Sequence, residues 1–271
     1  KKIRLTPEHP LLTVGGWQPA EDLGAGARIA TPRKLECGGE GFLRECEIKL
    51  LAYLISEGHL KRKAVWFSNQ DPVLVEDFKQ AVKEFDPELA VHLSPKNNYR
   101  VVKPVHKQVV LKAVRKNGKF AKGTEFQARN TLRSWLIGLD AYGQDSYHKR
   151  VPEEVFRLPK NKLALFLNRL FSGDGSIYFD TNIKAWRVSY ASASEELARQ
   201  VQHLLLRFEI MGVLRQKNSR LNEKEFHSWE LELRGANVER FLKEIGFYGA
   251  REFRQRQALV ELPETRNANL D

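Results

Sequence analysis

Two stretches of the chain step through the same apolar row. Val65-Trp66-Phe67-Ser68-Asn69-Gln70-Asp71 reads as a strand and is followed by apolar residues at Leu74, Phe78, Val82 and Phe85. Val188-Ser189-Tyr190-Ala191-Ser192-Ala193-Ser194 is followed by Leu197, Val201, Leu205 and Phe208. Steps of three and four predict an amphipathic helix in each place. Asp71 and Ser194 sit where N-caps belong. All four apolar pairs share one offset, 123 residues.

Further correspondences follow in the same order. Trp135-Leu136, Leu139 and Tyr142-Gly143 match Phe241-Leu242, Ile245 and Tyr248-Gly249 at an offset of 106. The first copy therefore holds about 17 extra residues between the two matches. Each copy also opens on an apolar helix, over 47–58 and 162–175, that ends in acid-glycine: Glu57-Gly58 and Asp174-Gly175. The duplication predicts a pseudo-twofold mixed α/β protein with copies at 41–150 and 151–271. Before them, Ile3-Arg4-Leu5, Leu11 to Val14 and Arg28-Ile29-Ala30 are short strand-like runs, punctuated by Pro and Gly. A Gly-rich hinge over 36–40 closes this all-β segment, 1–40.

Charge points to a polyanion. The 271 residues carry a net charge of +11 with pI near 9.6. Eleven Lys and Arg but a single acid, Glu125, lie between Lys96 and Arg133, which nets +10. The extra residues of the first copy fall in this stretch. Long cationic donors interleaved with Tyr99, His106, Phe120 and Phe126 suit a phosphate backbone with a few bases in reach. No apolar run approaches the length of a membrane span. Two cysteines, Cys37 and Cys46, exclude a disulfide framework and fit a reducing cytoplasm.

The two acids are the candidate chemistry. A carboxylate at a helix C-terminus meets the negative end of the helix dipole, and a cation would relieve that conflict. Ala52 and Ser56, four apart, let another helix approach closely. If the two acid-ended helices pack together, Glu57 and Asp174 come side by side. With exposed carbonyls they form a hard-oxygen site suited to Mg²⁺, able to activate water at a phosphodiester.

At these residues the chain resembles the LAGLIDADG homing endonucleases in their two-motif, monomeric form. Leu50 to Gly58 and Leu167 to Gly175 fit the nine-residue motif, 117 residues apart at the acid. The resemblance implies two αββαββα halves, motif helices at the pseudo-twofold interface, and two antiparallel sheets saddling the major groove of double-stranded DNA. It implies a Mg²⁺-dependent endonuclease that cuts both strands of a long site with two or three divalent ions. Glu57 and Asp174 would hold the metals, with Ser56 and Gly173 beside them. Arg129 (or Lys122) and Arg234 are the basic residues expected near each acid. Asn69, Gln70 and Ser192 fall where the family organises water. DNA contacts are expected from Trp66, Ser68, Tyr99, Arg100, Arg187 and Lys217 on the sheets, and from Lys96, Lys103, Lys107, Lys112, Arg115, Lys116 and Lys119 in the basic stretch. Arg169 departs from the pattern, because the third motif position is small in the family, as Ala52 is. It predicts either an arginine seated at the interface edge or an altered interface.

The first 35 residues resemble part of the splicing (Hint) domain of an intein. Thr6-Pro7-Glu8-His9, Gly16-Trp17, Asp22-Leu23 and Ile29-Ala30-Thr31-Pro32-Arg33 carry this likeness. It makes Thr6 and His9 relics of splicing chemistry. Lys1 stands where an intein begins with Cys or Ser, so the chain alone is expected not to splice, and complementary intein fragments become expected partners. Two alternatives stand beside the endonuclease: a cleavage-inactive DNA-binding module, and a structural portion of an intein that splices in trans.

Overall fold

The computed structural model describes residues 4–36, 39–61, 64–104, 109–112, 114–120, 125–127, 130–221 and 224–262. The chain opens on a small antiparallel hairpin, β1 (Pro10–Thr13) and β2 (Gly16–Pro19). Of the three strand-like runs expected here, the middle one forms β1. Arg4 and Leu5 are in no strand, and the run at Ile29 is reduced to a single bridge with Thr13.

The first repeat then follows: α1 (Glu45–Glu57), β3 (Gly58–His59), β4 (Val65–Ser68), α2 (Pro72–Phe85), β5 (Ala90–Ser94), β6 (Asn98–Val102) and, after an insertion, α3 (Thr131–Gly138). The insertion carries β7 (Val109–Lys112) paired with β10 (Glu125–Gln127), and β8 (Arg115–Lys116) paired with β9 (Lys119–Phe120). A short α4 (Glu153–Phe156) leads into the second repeat. That repeat runs α5 (Lys160–Asp174), β11 (Gly175–Asp180), β12 (Ala185–Ser192), α6 (Glu195–Leu205), β13 (Gly212–Leu221), β14 (Lys224–Leu233) and α7 (Ala236–Glu244). A final helix, α8 (Glu252–Glu261), follows.

Both repeats are αββαββα, and the two four-stranded sheets have the same order, β3-β4-β6-β5 and β11-β12-β14-β13. This is the duplicated LAGLIDADG fold. Asp71 and Ser194 cap α2 and α6 by accepting from the Val73 and Leu197 amides. The expected apolar rows are buried, apart from Phe85, which packs at the edge of the core. Each fully buried Leu or Phe contributes about 1.5–3 kcal/mol, so these rows pin the helices to the sheets. Strand alternation sends Val65, Phe67, Val188, Tyr190, Leu231 and Leu233 to the helix side. The residues between them form the opposite face.

Helices α1 and α5 pack along each other at the centre of the core. Their approach is tight at Gly173, where an added Cβ would lie 2.4 Å from Ser56 Oγ. The motif glycines play a different part from the left-handed helix stop that acid-glycine suggests. Gly58 and Gly175 are extended (φ −85° and −88°) and lead directly into β3 and β11. A Cβ on them would strike Leu54 O at 2.3 Å and Phe171 O at 2.5 Å. Glycine is needed there for space.

Arg169 is seated across the interface edge. Its Nε donates to Asp77 Oδ2 on α2 at 2.7 Å, and its guanidinium lies 3.7 Å from the centre of the Tyr248 ring. Asp77 also accepts from Lys49 Nζ (2.8 Å) and Tyr53 Oη (2.7 Å). Burial works against the charged Asp77 carboxylate, but the Lys49, Arg169 and Tyr53 hydrogen bonds outweigh it and hold its pKa below the usual carboxylate range. A charged group too large for the interface is thus held at its rim by Asp77 and Tyr248. Among the described residues, no helix is long and apolar enough to cross a membrane.

Candidate active site

Glu57 and Asp174 end α1 and α5, and the Ser56–Gly173 approach holds those two ends against each other. The added Cβ of Gly173 would also come within 3.4 Å of Glu57 Cγ. Each acid feels the cost. Burial pushes the Glu57 carboxyl above its ordinary pKa. Burial and then the Glu57 charge push Asp174 up to about 7.

Two cations answer the two acids. Lys149 Nζ donates to Ser56 O at 2.9 Å, on the last turn of α1. Arg251 donates to Ser172 O and, at 3.2 Å, to Gly173 O, on the last turn of α5. Cations belong at helix C-termini, and both draw the Glu57 and Asp174 pKa values back down. Burial lowers the pKa of Lys149 and of Arg251, while the two acids oppose that drop.

The loops carrying these cations are anchored by the helix caps of the opposite repeat. Ser194 Oγ, the cap of α6, donates to Lys149 O at 2.7 Å. Asp71 Oδ2, on the cap of α2, accepts from the Ala250 amide at 2.7 Å, next to Arg251. The pseudo-twofold relation therefore extends to how each cation is positioned.

Lys149 and Arg251 escaped the sequence reading. Their signal is a basic residue after each Tyr-Gly of the repeat. The spacing differs, with Lys149 six residues after Gly143 and Arg251 two after Gly249, so a fixed offset cannot align them. Arg234 is paired with Glu232 instead of with either acid. Lys122 and Arg129 lie outside the described residues.

Asn69 and Ser192 do the same work in the two repeats. Asn69 Oδ1 accepts from the Asp71 amide (2.8 Å), and Ser192 Oγ from the Ser194 amide (3.1 Å). Both shape the turn into a capped helix. Gln70 is exposed beside Asn69.

The face of each sheet turned away from the helices carries most of the sheet residues expected to contact DNA. Trp66, Ser68 and Arg100 lie on it in the first repeat, with Arg100 5.9 Å from the Trp66 ring centre. Arg187 and Lys217 lie on it in the second. Tyr99 points to the helix side, against Phe67. Lys103 is taken up by Glu88 at 2.9 Å. Lys96 and Asn97 both have positive φ (62° and 53°) and form the tight turn between β5 and β6. Arg115, Lys116 and Lys119 are exposed on the β8–β9 hairpin. Lys112 lies in β7, and Lys107 lies outside the described residues. Thr6 and His9 are exposed in a turn, with the His9 amide donating to Thr6 O at 3.1 Å.

A metal would fit between the acids. Two half-buried carboxylates on adjoining helix ends, both with raised pKa values, form an oxygen donor set of the kind that holds a hard cation.

Residues 161–246 match the LAGLIDADG-like domain. The chain is 32% identical over 271 residues to the replicative DNA helicase DnaB of Rhodothermus marinus, covering 97% of this chain and 26% of that protein. It is 27% identical over 278 residues to the replication factor C small subunit of Methanocaldococcus jannaschii, covering 100% of this chain and 13% of that protein. The chain thus spans well under two thirds of the curated relatives it matches. Among solved structures it is similar to the homing endonuclease I-DmoI in complex with DNA and Mn (11% identity, TM-score 0.47, 74% of this chain and 96% of that one). It is also similar to DUF199/WhiA (13% identity, TM-score 0.44, 84% and 64%).

Proposed function

We propose that this chain is a site-specific DNA endonuclease of the homing type that cuts both strands of a duplex with divalent metal. The observation that carries the reading is the meeting of Glu57 and Asp174 where α1 and α5 touch at Ser56 and Gly173. These two acids would hold the ions, with the Ser56 and Gly173 carbonyls beside them. Bound Mg²⁺ would supply an activated water and neutralise charge building on the phosphate. Lys149 and Arg251 stabilise the same negative charge from the protein side and keep the helix ends in place. The sheet faces grip the duplex, and the basic insertion holds its phosphates.

We further assign residues 1–40 to a partial intein splicing segment, 41–150 to the first endonuclease half and 151–271 to the second. Supporting the intein reading, a replicative DNA helicase and a replication factor C small subunit, two differently named proteins, match across nearly this whole chain while it fills 26% and 13% of each. A segment shared by otherwise different proteins behaves as an insert. Thr6 and His9 are then the residues of this segment to which splicing chemistry would fall.

The test uses duplexes from uninterrupted genes for such replication proteins. The protein with Mg²⁺ is expected to cut one duplex at one site, and Glu57→Gln/Asp174→Asn to bind the same duplex without cutting. Tight binding by both proteins with no cut by either would assign the chain to the cleavage-inactive DNA-binding modules.

A further inference from the structure

The duplication allows the two sheet faces to be compared position by position. At the shared offset of 123, Trp66 and Ser68 of β4 correspond to Ser189 and Ala191 of β12. Trp66 pairs with Arg100 and Ser68 with Asn98 on β6. Ser189 pairs with Glu232 and Ala191 with Glu230 on β14. The same two places on the two central strands thus hold Arg100 and Asn98 in one repeat, Glu232 and Glu230 in the other. Both glutamates alternate with buried Leu231 and Leu233, so they lie on the face away from the helices.

Two carboxylates on a surface that meets DNA are costly unless a donor meets them. Glu232 already has its donor, since it accepts from Arg234 Nε. Glu230 is different. Lys217 Nζ is 3.7 Å from it, beyond hydrogen-bond distance, so that contact does not tie up the carboxylate oxygens. In the major groove the donors available to it are exocyclic amines. Adenine presents its N6 amine beside the N7 acceptor, which repels a carboxylate. Cytosine presents its N4 amine without such a neighbour.

We propose that Glu230 is a specificity-determining residue that reads a cytosine through its N4 amine. The inference rests on the reading that both sheets face duplex DNA. It places an acceptor on the second sheet at a position where the first sheet holds Asn98, so the preferred site is asymmetric at the two related positions.

The experiment is selection of bound duplexes from a fully randomised library by the wild type and by Glu230→Gln, with thermal unfolding of both to confirm equal folding. The wild type is expected to prefer cytosine at one position by roughly tenfold. Glu230→Gln is expected to lose that preference, or move it to adenine, which a glutamine reads through N6 and N7, with other positions unchanged. Uniformly tighter binding by Glu230→Gln with every preference intact would overturn the proposal and leave the glutamate as a repelling surface charge. No enrichment by either protein would overturn the DNA-binding reading itself.

Discussion

Where the first sheet presents Asn98 and Arg100, the second presents Glu230 and Glu232, although both strands hold the same place in the same sheet order. The helix ends behave in the opposite way. Glu57 and Asp174 occupy equivalent places, each with a cation on its last turn, Lys149 and Arg251. The contrast separates what the fold demands from what it leaves free. Core rows, caps and the tight helix contact must match for two repeats to share one interface. Outward side chains carry no such constraint, and at these two positions the repeats have diverged in charge.

The largest expected effect lies where the halves are most alike. If both acids hold metal, Glu57→Gln/Asp174→Asn should lower cleavage roughly a thousandfold or more, the scale of several kcal/mol of lost charge stabilisation. DNA affinity should remain within a few-fold, measured by titration without metal. Retained cutting would break the equivalence of the two helix ends.

A second effect lies where the halves differ inside the interface. Ala52 in the first motif corresponds to Arg169 in the second, and Asp77 on α2 to Gln200 on α6. The Arg169–Asp77 pair therefore occurs on one side of the pseudo-axis, while Gln200 accepts from the Val151 amide at 2.7 Å. Asp77→Ala leaves Arg169 and Lys49 without their carboxylate and should cost about 3 kcal/mol in urea unfolding. Gln200→Ala should cost only about 1 kcal/mol. The sign of the pH dependence follows from the depressed Asp77 pKa. Its contribution is fully present above the unfolded-state value, about 4, and disappears as pH falls through the folded value below it. The gap between wild type and Asp77→Ala should be constant at neutral pH and close in acid. Equal losses for Asp77→Ala and Gln200→Ala would remove this asymmetry.

The cations come third. Lys149→Met and Arg251→Met should each reduce cleavage about a hundredfold, the size of one lost charge stabiliser, with the metal concentration for half-activity raised by less. If one does so and the other does not, the two strands are served by unequal half-sites.

Much of this arrangement was legible in the chain. Helical rows at one offset placed α2 and α6, and the acid-glycine endings located α1 and α5. Where the sequence reading stopped, the cause is physical. Lys149 and Arg251 reach the acids from loops of unequal length, so their positions are set by anchors, Ser194 and Asp71, in the opposite repeat. Tyr99 was expected to meet DNA, but strand register turns it onto Phe67. The glycines after the acids announce a helix stop from sequence, whereas the Leu54 and Phe171 carbonyls above them are visible only once the helix runs directly into a strand. Arg169 looked like a misfit because its partners, Asp77 and Tyr248, come from distant parts of the chain.

The smallest effect concerns the two surfaces and the solvent. Arg115, Lys116 and Lys119 stand exposed on the inserted hairpin, while Lys217 on the second sheet lies near Glu230. A cation that meets phosphate in place of counterions steepens the dependence of binding on salt, and a cation already offset by a carboxylate does so less. Replacing the three hairpin cations with alanine should make the slope of log affinity against log salt shallower by about one for each phosphate left unneutralised. Lys217→Ala should change it by well under one, and base preference should survive the hairpin change. A slope that moves more with Lys217 than with the hairpin would place phosphate binding on the second sheet. The assignment of phosphate binding to the insertion would then fail.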